Sequence, residues 1–216
     1  MLHKNALGAG QQPSLEVPHK FLRWALILFF VIEYIRPQGL ANLKLQFVII
    51  LLMFFAFLYA KDRSWSKLLT AQLIFFLIVA KSLPLALNNY AVYSVMKVMF
   101  GYIAIVFAIS WLMSWRIPFR QVILSWVLII GYVSIYGMLH GGRGPGGMIG
   151  DENDLALAVV SVLPFALFGF DYLKGWGKWL SFICIVVFTA AIIASFSRGG
   201  FIGLAVVTIY YFILST

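Results

Sequence analysis

Gln121-Val122-Ile123-Leu124-Ser125-Trp126-Val127-Leu128-Ile129-Ile130-Gly131-Tyr132-Val133-Ser134-Ile135-Tyr136-Gly137-Met138-Leu139 runs through the middle of the chain without one charged residue. A membrane-spanning helix needs about 20 mostly apolar residues. The run is continuous rather than alternating, which reads as helix and not as barrel strand. In lipid the choice is confined to those two, because an unpaired backbone group finds no water there. Working outward, similar runs occupy residues 21–35 (short), 45–60, 68–87 (interrupted by Lys81 and Pro84) and 98–115 on the amino-terminal side. On the other side lie 155–170, with a bend expected at Pro164, then 179–196, and a last run from Phe201 that is still apolar at Thr216. The expected fold is all-α: a polytopic transmembrane helix bundle of about eight spans, formed by residues 21–216 behind a polar tail at 1–20. No internal repeat and no interdomain linker is visible.

Composition points the same way. Of 216 residues, 63% are hydrophobic and 11% charged, where a soluble domain is about half apolar and a quarter charged. A small soluble domain has too much surface to hide such a content. The net charge of +9 would suggest nucleic acid on a soluble protein. Here the basic residues stand singly at the ends of apolar runs, so membrane topology and membrane lipids explain them and no nucleic-acid partner is expected. The single cysteine, Cys184, lies in an apolar run; it makes no intrachain disulfide, and no histidines stand near it to build a metal site. No cofactor or metal is expected. The tail lacks the pattern of a cleaved signal peptide, and the first run reads as a signal anchor.

Counting Lys and Arg by side orients the bundle. Ten fall on the side of the amino terminus (Lys4, Lys20, Arg23, Lys61, Arg63, Lys67, Arg116, Arg120, Lys174, Lys178) and six on the other (Arg36, Lys44, Lys81, Lys97, Arg143, Arg198). The richer side belongs in the cytoplasm, so the amino terminus is expected inside. Trp24, Trp65, Trp111, Trp115, Trp176 and Trp179 lie near run ends and read as interface anchors. With this topology the 141–154 loop and the 195–200 turn both face outward.

Those two outer segments hold the candidate chemistry. Ser195-Phe196-Ser197-Arg198-Gly199-Gly200 carries an arginine with no acid in the same turn. A guanidinium is always charged, costly in lipid, and shaped to grip phosphate. Two glycines permit close approach, and the following helix start favours an anion. The turn reads either as a diphosphate seat or as an ordinary turn whose arginine reaches the headgroups. Gly141-Gly142-Arg143-Gly144-Pro145-Gly146-Gly147-Met148-Ile149-Gly150 is rich enough in glycine to form an anion-binding concavity, yet lacks the ending of a P-loop; a plain surface loop is the alternative. In Asp151-Glu152-Asn153-Asp154, which opens the sixth run, Asp151 and Glu152 read as capping and dipole residues, while Asn153 and Asp154 are candidates to orient a sugar hydroxyl or to fix Arg143. Glu33 and Arg36 are spaced to pair. Lys81 reads equally as functional or as snorkelling. His140, the only histidine near the outer face, reads as structural rather than as a base.

Two of these segments, taken in order, resemble the O-antigen ligase and polymerase superfamily: Gly150-Asp151-Glu152-Asn153-Asp154-Leu155-Ala156-Leu157-Ala158 with its Asn-x-x-Ala helix start, then one further span, then Ser197-Arg198-Gly199. Tyr34-Ile35-Arg36-Pro37-Gln38 is similar to the O-glycosylation ligase branch. The resemblance implies a glycosyltransferase of the bacterial cell inner membrane, with roles such as lipopolysaccharide biosynthesis. It would move a glycan from a polyprenyl-diphosphate carrier to an acceptor glycan, lipid A-core or protein. It implies that Arg198 holds the diphosphate, within a substrate-binding set of Ser197, Gly199 and Asn153, and position adds Arg143. The family's enzymes continue into a large outer loop with a histidine that activates the acceptor. Nothing equivalent lies within residues 1–216, so the chain reads as the amino-terminal portion of such an enzyme, inactive alone, with its catalytic base not among the residues present. The alternatives are a membrane transporter of an anionic lipid or solute, which would tend to show paired repeats with broken helices, and a structural membrane subunit.

Overall fold

The structure is a computed structural model and describes residues 16–36, 45–59, 65–113, 116–147 and 149–215. The 1–15 part of the expected tail, Pro37 and Gln38, Lys44, Lys61, Arg63, Trp115, Met148 and Thr216 lie outside them.

Among the described residues the chain forms eight α-helices and no strand. They are α1 (Glu16–Phe30), α2 (Leu45–Tyr59), α3 (Lys67–Ser82), α4 (Asn89–Leu112), α5 (Arg116–Leu139), α6 (Glu152–Tyr172), α7 (Trp176–Ala194) and α8 (Arg198–Ser215). Five segments are long and apolar enough to cross a membrane: Lys67–Leu85, Asn89–Leu112, Ile117–Leu139, Glu152–Tyr172 and Trp176–Ala194. Leu45–Leu58 and Arg198–Leu214 are apolar but shorter. Large apolar side chains cover the outside as well as the inside. Ile74, Phe75, Leu77 and Ile78 on α3, and Ile202, Val206, Ile209 and Phe212 on α8, are all exposed. In water such a surface would drive association; it fits a multi-pass membrane protein, whose solvent is hydrocarbon.

Local signals set the helix ends, and several differ from the sequence expectation. α1 starts at Glu16, inside the expected tail. It passes into a π-helical segment, Val31–Ile35, and ends at Arg36 in the left-handed conformation (φ 49°). α4 starts at Asn89, well before Val98, because the Asn88 side chain caps it by accepting from Ala91 N at 3.1 Å. α5 begins at Arg116, with Pro118 in its first turn, where a missing N–H costs nothing. Pro84 converts the end of α3 to a 3₁₀ turn, Leu83–Leu85. α7 stops at Ala194 and α8 begins at Arg198 rather than Phe201. Trp111 is buried in the core instead of serving as an interface anchor; Trp24, Trp65, Trp176 and Trp179 are exposed.

The core has two parts joined by α5. One gathers Leu22, Leu26 and Phe30 of α1, Met53 of α2, Leu69 of α3 and Phe107 of α4 around Val122 and Ile129. The other packs Ile130 and Val133 of α5 with Leu155, Val159 and Leu163 of α6 and Phe188 and Ile192 of α7. Trp126 touches both and stacks on Phe30, with ring centroids 5.5 Å apart.

Polar contacts show which helix ends lie together. At one end Arg23 of α1 bonds Gln121 near the start of α5, Ser66 before α3 meets Ser110 of α4 at 3.0 Å, and Tyr211 of α8 donates to Asp171 of α6 at 2.7 Å. At the other, the site end, the carboxyl ends of α1, α5 and α7 meet the amino ends of α6 and α8. Around the site, α1, α5 and α7 therefore run opposite to α6 and α8.

Candidate functional site

The site end is built on two helix starts. Asp151 caps α6: its Oδ1 accepts from Asp154 N at 2.8 Å, so the capping reading of Asp151 holds. Ser197 does the same for α8, its Oγ accepting from Gly200 N at 3.1 Å. The Ser197 hydroxyl then donates to Asn153 Oδ1 at 2.8 Å. One side chain thus caps α8 and ties it to the first turn of α6. Behind it, Ser197 N donates to Ser195 Oγ at 3.2 Å, and Ser195 Oγ donates to Ile192 O at 2.7 Å. Ser195 and Ser197 are both buried, and these bonds satisfy their polar atoms.

Between α7 and α8 the backbone is strained. Phe196, with a bulky side chain, has φ 51°, a conformation that Cβ disfavours. That strain reverses the chain in three residues and delivers Arg198 to the first turn of α8. Arg198 and Gly199 are exposed, and among the described residues the Arg198 guanidinium has no ion-pair or hydrogen-bond partner. The arginine therefore stands within the first turn of a helix whose N–H groups face the same end, rather than in a turn preceding it. Gly200 faces inward: a Cβ there would come 2.7 Å from Ala156 Cβ, so glycine sets how closely α8 approaches α6.

The glycine-rich loop lies against this turn. Gly142 (φ 85°) packs so tightly that an added Cβ would be 2.7 Å from both Ala194 O and Ser195 Cα. On the next residue, Arg143 Nε donates to Glu152 Oε1 at 2.7 Å. This corrects the assignment of Asn153 and Asp154 to Arg143: Glu152 takes it, Asn153 is committed to Ser197, and Asp154 N closes the cap. The Glu152 hydrogen bond and charge push the Arg143 pKa above its ordinary value, so the loop arginine is cationic at any working pH. His140 is turned to its own helix, with Nδ1 2.8 Å from Tyr136 O and its ring stacked on Tyr136 at 3.8 Å. That arrangement matches the structural reading of this histidine.

The structure thus brings together Asn153, Ser197, Arg198 and Gly199, and places Arg143 beside them through Glu152. It also adds two residues that the sequence did not assign to this end's machinery, Ser195 and Arg36. Arg36 lies against Gly146 and Gly147, with its Nη1 3.1 Å from where a Gly146 Cβ would stand. Among the described residues no group of His, Cys, Asp and Glu is arranged to hold a metal. What the arrangement offers is cationic donors and helix-start N–H groups at one end of an apolar bundle, suited to an anion held at a membrane face.

The clamp is open to test. Ser197→Ala removes a helix cap and the donor to Asn153, and a lost cap costs about 1 kcal/mol. Asn153→Ala should cost less, since Asn153 is exposed. The double variant should lose less than the sum of the two, by about 0.5 kcal/mol or more. Thermal unfolding in detergent reads the cycle; strict additivity would mean that the bond does not couple α6 to α8.

Comparison with protein-family models, with curated proteins and with solved structures finds no match to the chain.

Proposed function

We propose that the site end is a diphosphate seat, and that the chain belongs to the machinery that moves a glycan from a polyprenyl-diphosphate carrier to an acceptor glycan, lipid or protein. The observation that carries this reading is Arg198, unpaired among the described residues and exposed in the first turn of α8, with Ser197 fixing that turn against Asn153. In such a transfer an acceptor hydroxyl oxygen bonds to the anomeric carbon, its proton passing to a base that this site does not supply, while the bond from that carbon to the diphosphate breaks. The diphosphate leaves with the bonding electrons, so negative charge grows on its oxygens. Fixed cations and N–H donors stabilise that growing charge most when they need no reorganisation. Arg198 supplies the bidentate fork and the α8 start supplies dipole and N–H groups. Arg143, held by Glu152, is the second cation.

In this reading the bundle crosses a bacterial inner membrane eight times with its amino terminus in the cytoplasm, and the seat faces outward, where carrier-linked glycans are presented. The apolar helix surfaces beside the seat let the polyprenyl chain remain in lipid while its headgroup is bound.

The test is equilibrium binding of undecaprenyl diphosphate, undecaprenyl phosphate and undecaprenol to the protein in lipid nanodiscs. Saturable binding in the order diphosphate, phosphate, alcohol is expected. Equal retention of all three would show that the lipid tail alone is recognised and would sink the diphosphate reading.

A further inference from the structure

Three departures from ordinary geometry gather where α1 ends. The helix closes in a π-helical segment, Val31–Ile35, within which Glu33 is only 8% exposed; such segments are rare and often mark functional places. Arg36 follows with φ 49°, one of two non-glycine residues with positive φ among the described residues; the other is Phe196, at the same end of the bundle. The Arg36 Nε is buried and without a hydrogen-bond partner among the described residues. Strain and buried charge of this kind persist only where the surroundings enforce them. A helix that merely had to end would need none of the three.

Their common effect is to hold one guanidinium in place. Glu33, buried in the same π-helical segment, stands three residues before Arg36. The guanidinium lies on the glycine-rich loop. A Cβ on Gly147 would stand 2.9 Å from Arg36 Nε and 3.0 Å from Cζ, and one on Gly146 would stand 3.1 Å from Nη1. Both glycines have positive φ, 109° at Gly146 and 67° at Gly147. The loop therefore needs glycine there twice over, for its backbone angles and for the space that Arg36 fills. The Gly142 half of the loop is already pressed on the end of α7. Beyond it Gly146 forms one isolated bridge with Ile149, and a glycine-rich backbone left to itself samples many conformations. Arg36 is the wall that limits them.

We propose that Arg36 is a positioning residue of the anion seat: it holds the second half of the glycine-rich loop in the one arrangement that lets the loop's N–H groups serve the distal phosphate of a diphosphate. The functional part of this inference rests on the diphosphate reading; the geometric part does not. It assigns discrimination between diphosphate and monophosphate to a residue that lies far from Arg198 in sequence and contributes no bond to the reacting centre.

The experiment uses the full chain in nanodiscs, in a Cys184→Ser background with Gly150→Cys as reporter. Gly150 is exposed, and a Cβ there meets nothing closer than 3.7 Å. Two quantities are measured for the reporter protein and for Arg36→Ala, Arg36→Lys and Gly147→Ala on top of it: the thiol labelling rate, and the affinities for undecaprenyl diphosphate and undecaprenyl phosphate. Arg36→Ala and Gly147→Ala should each speed labelling on the order of tenfold and cut diphosphate affinity by a similar factor, leaving monophosphate affinity nearly unchanged. Arg36→Lys, which keeps the charge and loses the planar fork, should fall between. Labelling at the reporter protein's rate in Arg36→Ala overturns the inference, and so does an equal loss of both affinities. Failure of every protein, the unsubstituted reporter included, to prefer diphosphate would sink the diphosphate reading, while the labelling rates still decide the role of Arg36. Should Arg36→Ala not fold, Gly147→Ala and Arg36→Lys carry the same comparison.

Discussion

Arg198→Ala is expected to remove most of the preference for a diphosphate headgroup while leaving the bundle folded, and Arg198→Lys is expected to restore only part of it. The side chain is exposed and supports no packing, so its removal should leave the melting temperature within a few degrees of the parent. The Ser197 cap of the same helix turn stays in place. A lysine keeps the charge but offers a point where the guanidinium offers a planar fork matched to phosphate oxygens. Where glycan transfer is assayed, loss of a charged contact to the leaving diphosphate should cost about 2–4 kcal/mol in the transition state, roughly 30- to 1000-fold in rate, by analogy with oxyanion-hole donors. Parental transfer by Arg198→Ala at normal expression would remove this residue from the diphosphate role.

Gly142→Ala should produce a large loss of stability at the site end. An added methyl would stand 2.7 Å from Ala194 O and from Ser195 Cα, and both are backbone atoms that cannot turn aside. The backbone angle, φ 85°, adds its own cost. Together these should cost about 2–4 kcal/mol. Gly141→Ala separates the two causes. It has a similar angle, φ 67°, but open space around the new carbon, so about 1 kcal/mol of conformational strain remains. Gly199→Ala, with an ordinary angle and room for a methyl, should be neutral or slightly stabilising. Thermal unfolding in one detergent ranks the three. Equal losses at Gly141 and Gly142 would show that the loop moves freely off the end of α7.

How far the sequence reaches is visible in particular residues. The apolar helices are legible because a run such as 121–139 has only one solvent that suits it. The sequence places 141–154 and 195–200 at one end of the bundle, and their contact there comes from the structure. Asp151 was legible as a cap because capping is decided within three residues. What was not legible depends on packing. Arg143 sits next to a four-residue polar stretch, and which member it bonds is set by the orientation of the α6 start, so Glu152 was missed. Asn153 and Ser197 meet because Gly200 lets α8 come close to α6, and spacing alone does not show that. The start of α4 lies earlier than its apolar run because Asn88 begins the helix among residues less apolar than the span itself. Arg36 was read with its neighbour Glu33; its contact with Gly146 and Gly147 joins segments that no local pattern connects.

Transfer from a carrier-linked glycan at the outer face requires the seat to face away from the cytoplasm, and site-directed labelling in intact cells tests that most directly. In a Cys184→Ser background, Gly150→Cys reports the glycine-rich loop and Lys67→Cys reports the opposite end of the bundle; both positions are exposed. A membrane-impermeant thiol reagent applied from outside should label Gly150→Cys and spare Lys67→Cys, with both labelled once the membrane is permeabilised. Labelling of Lys67→Cys with protection of Gly150→Cys would place Arg198 and Arg143 on the cytoplasmic side, and would contradict transfer from a carrier-linked glycan at the outer face.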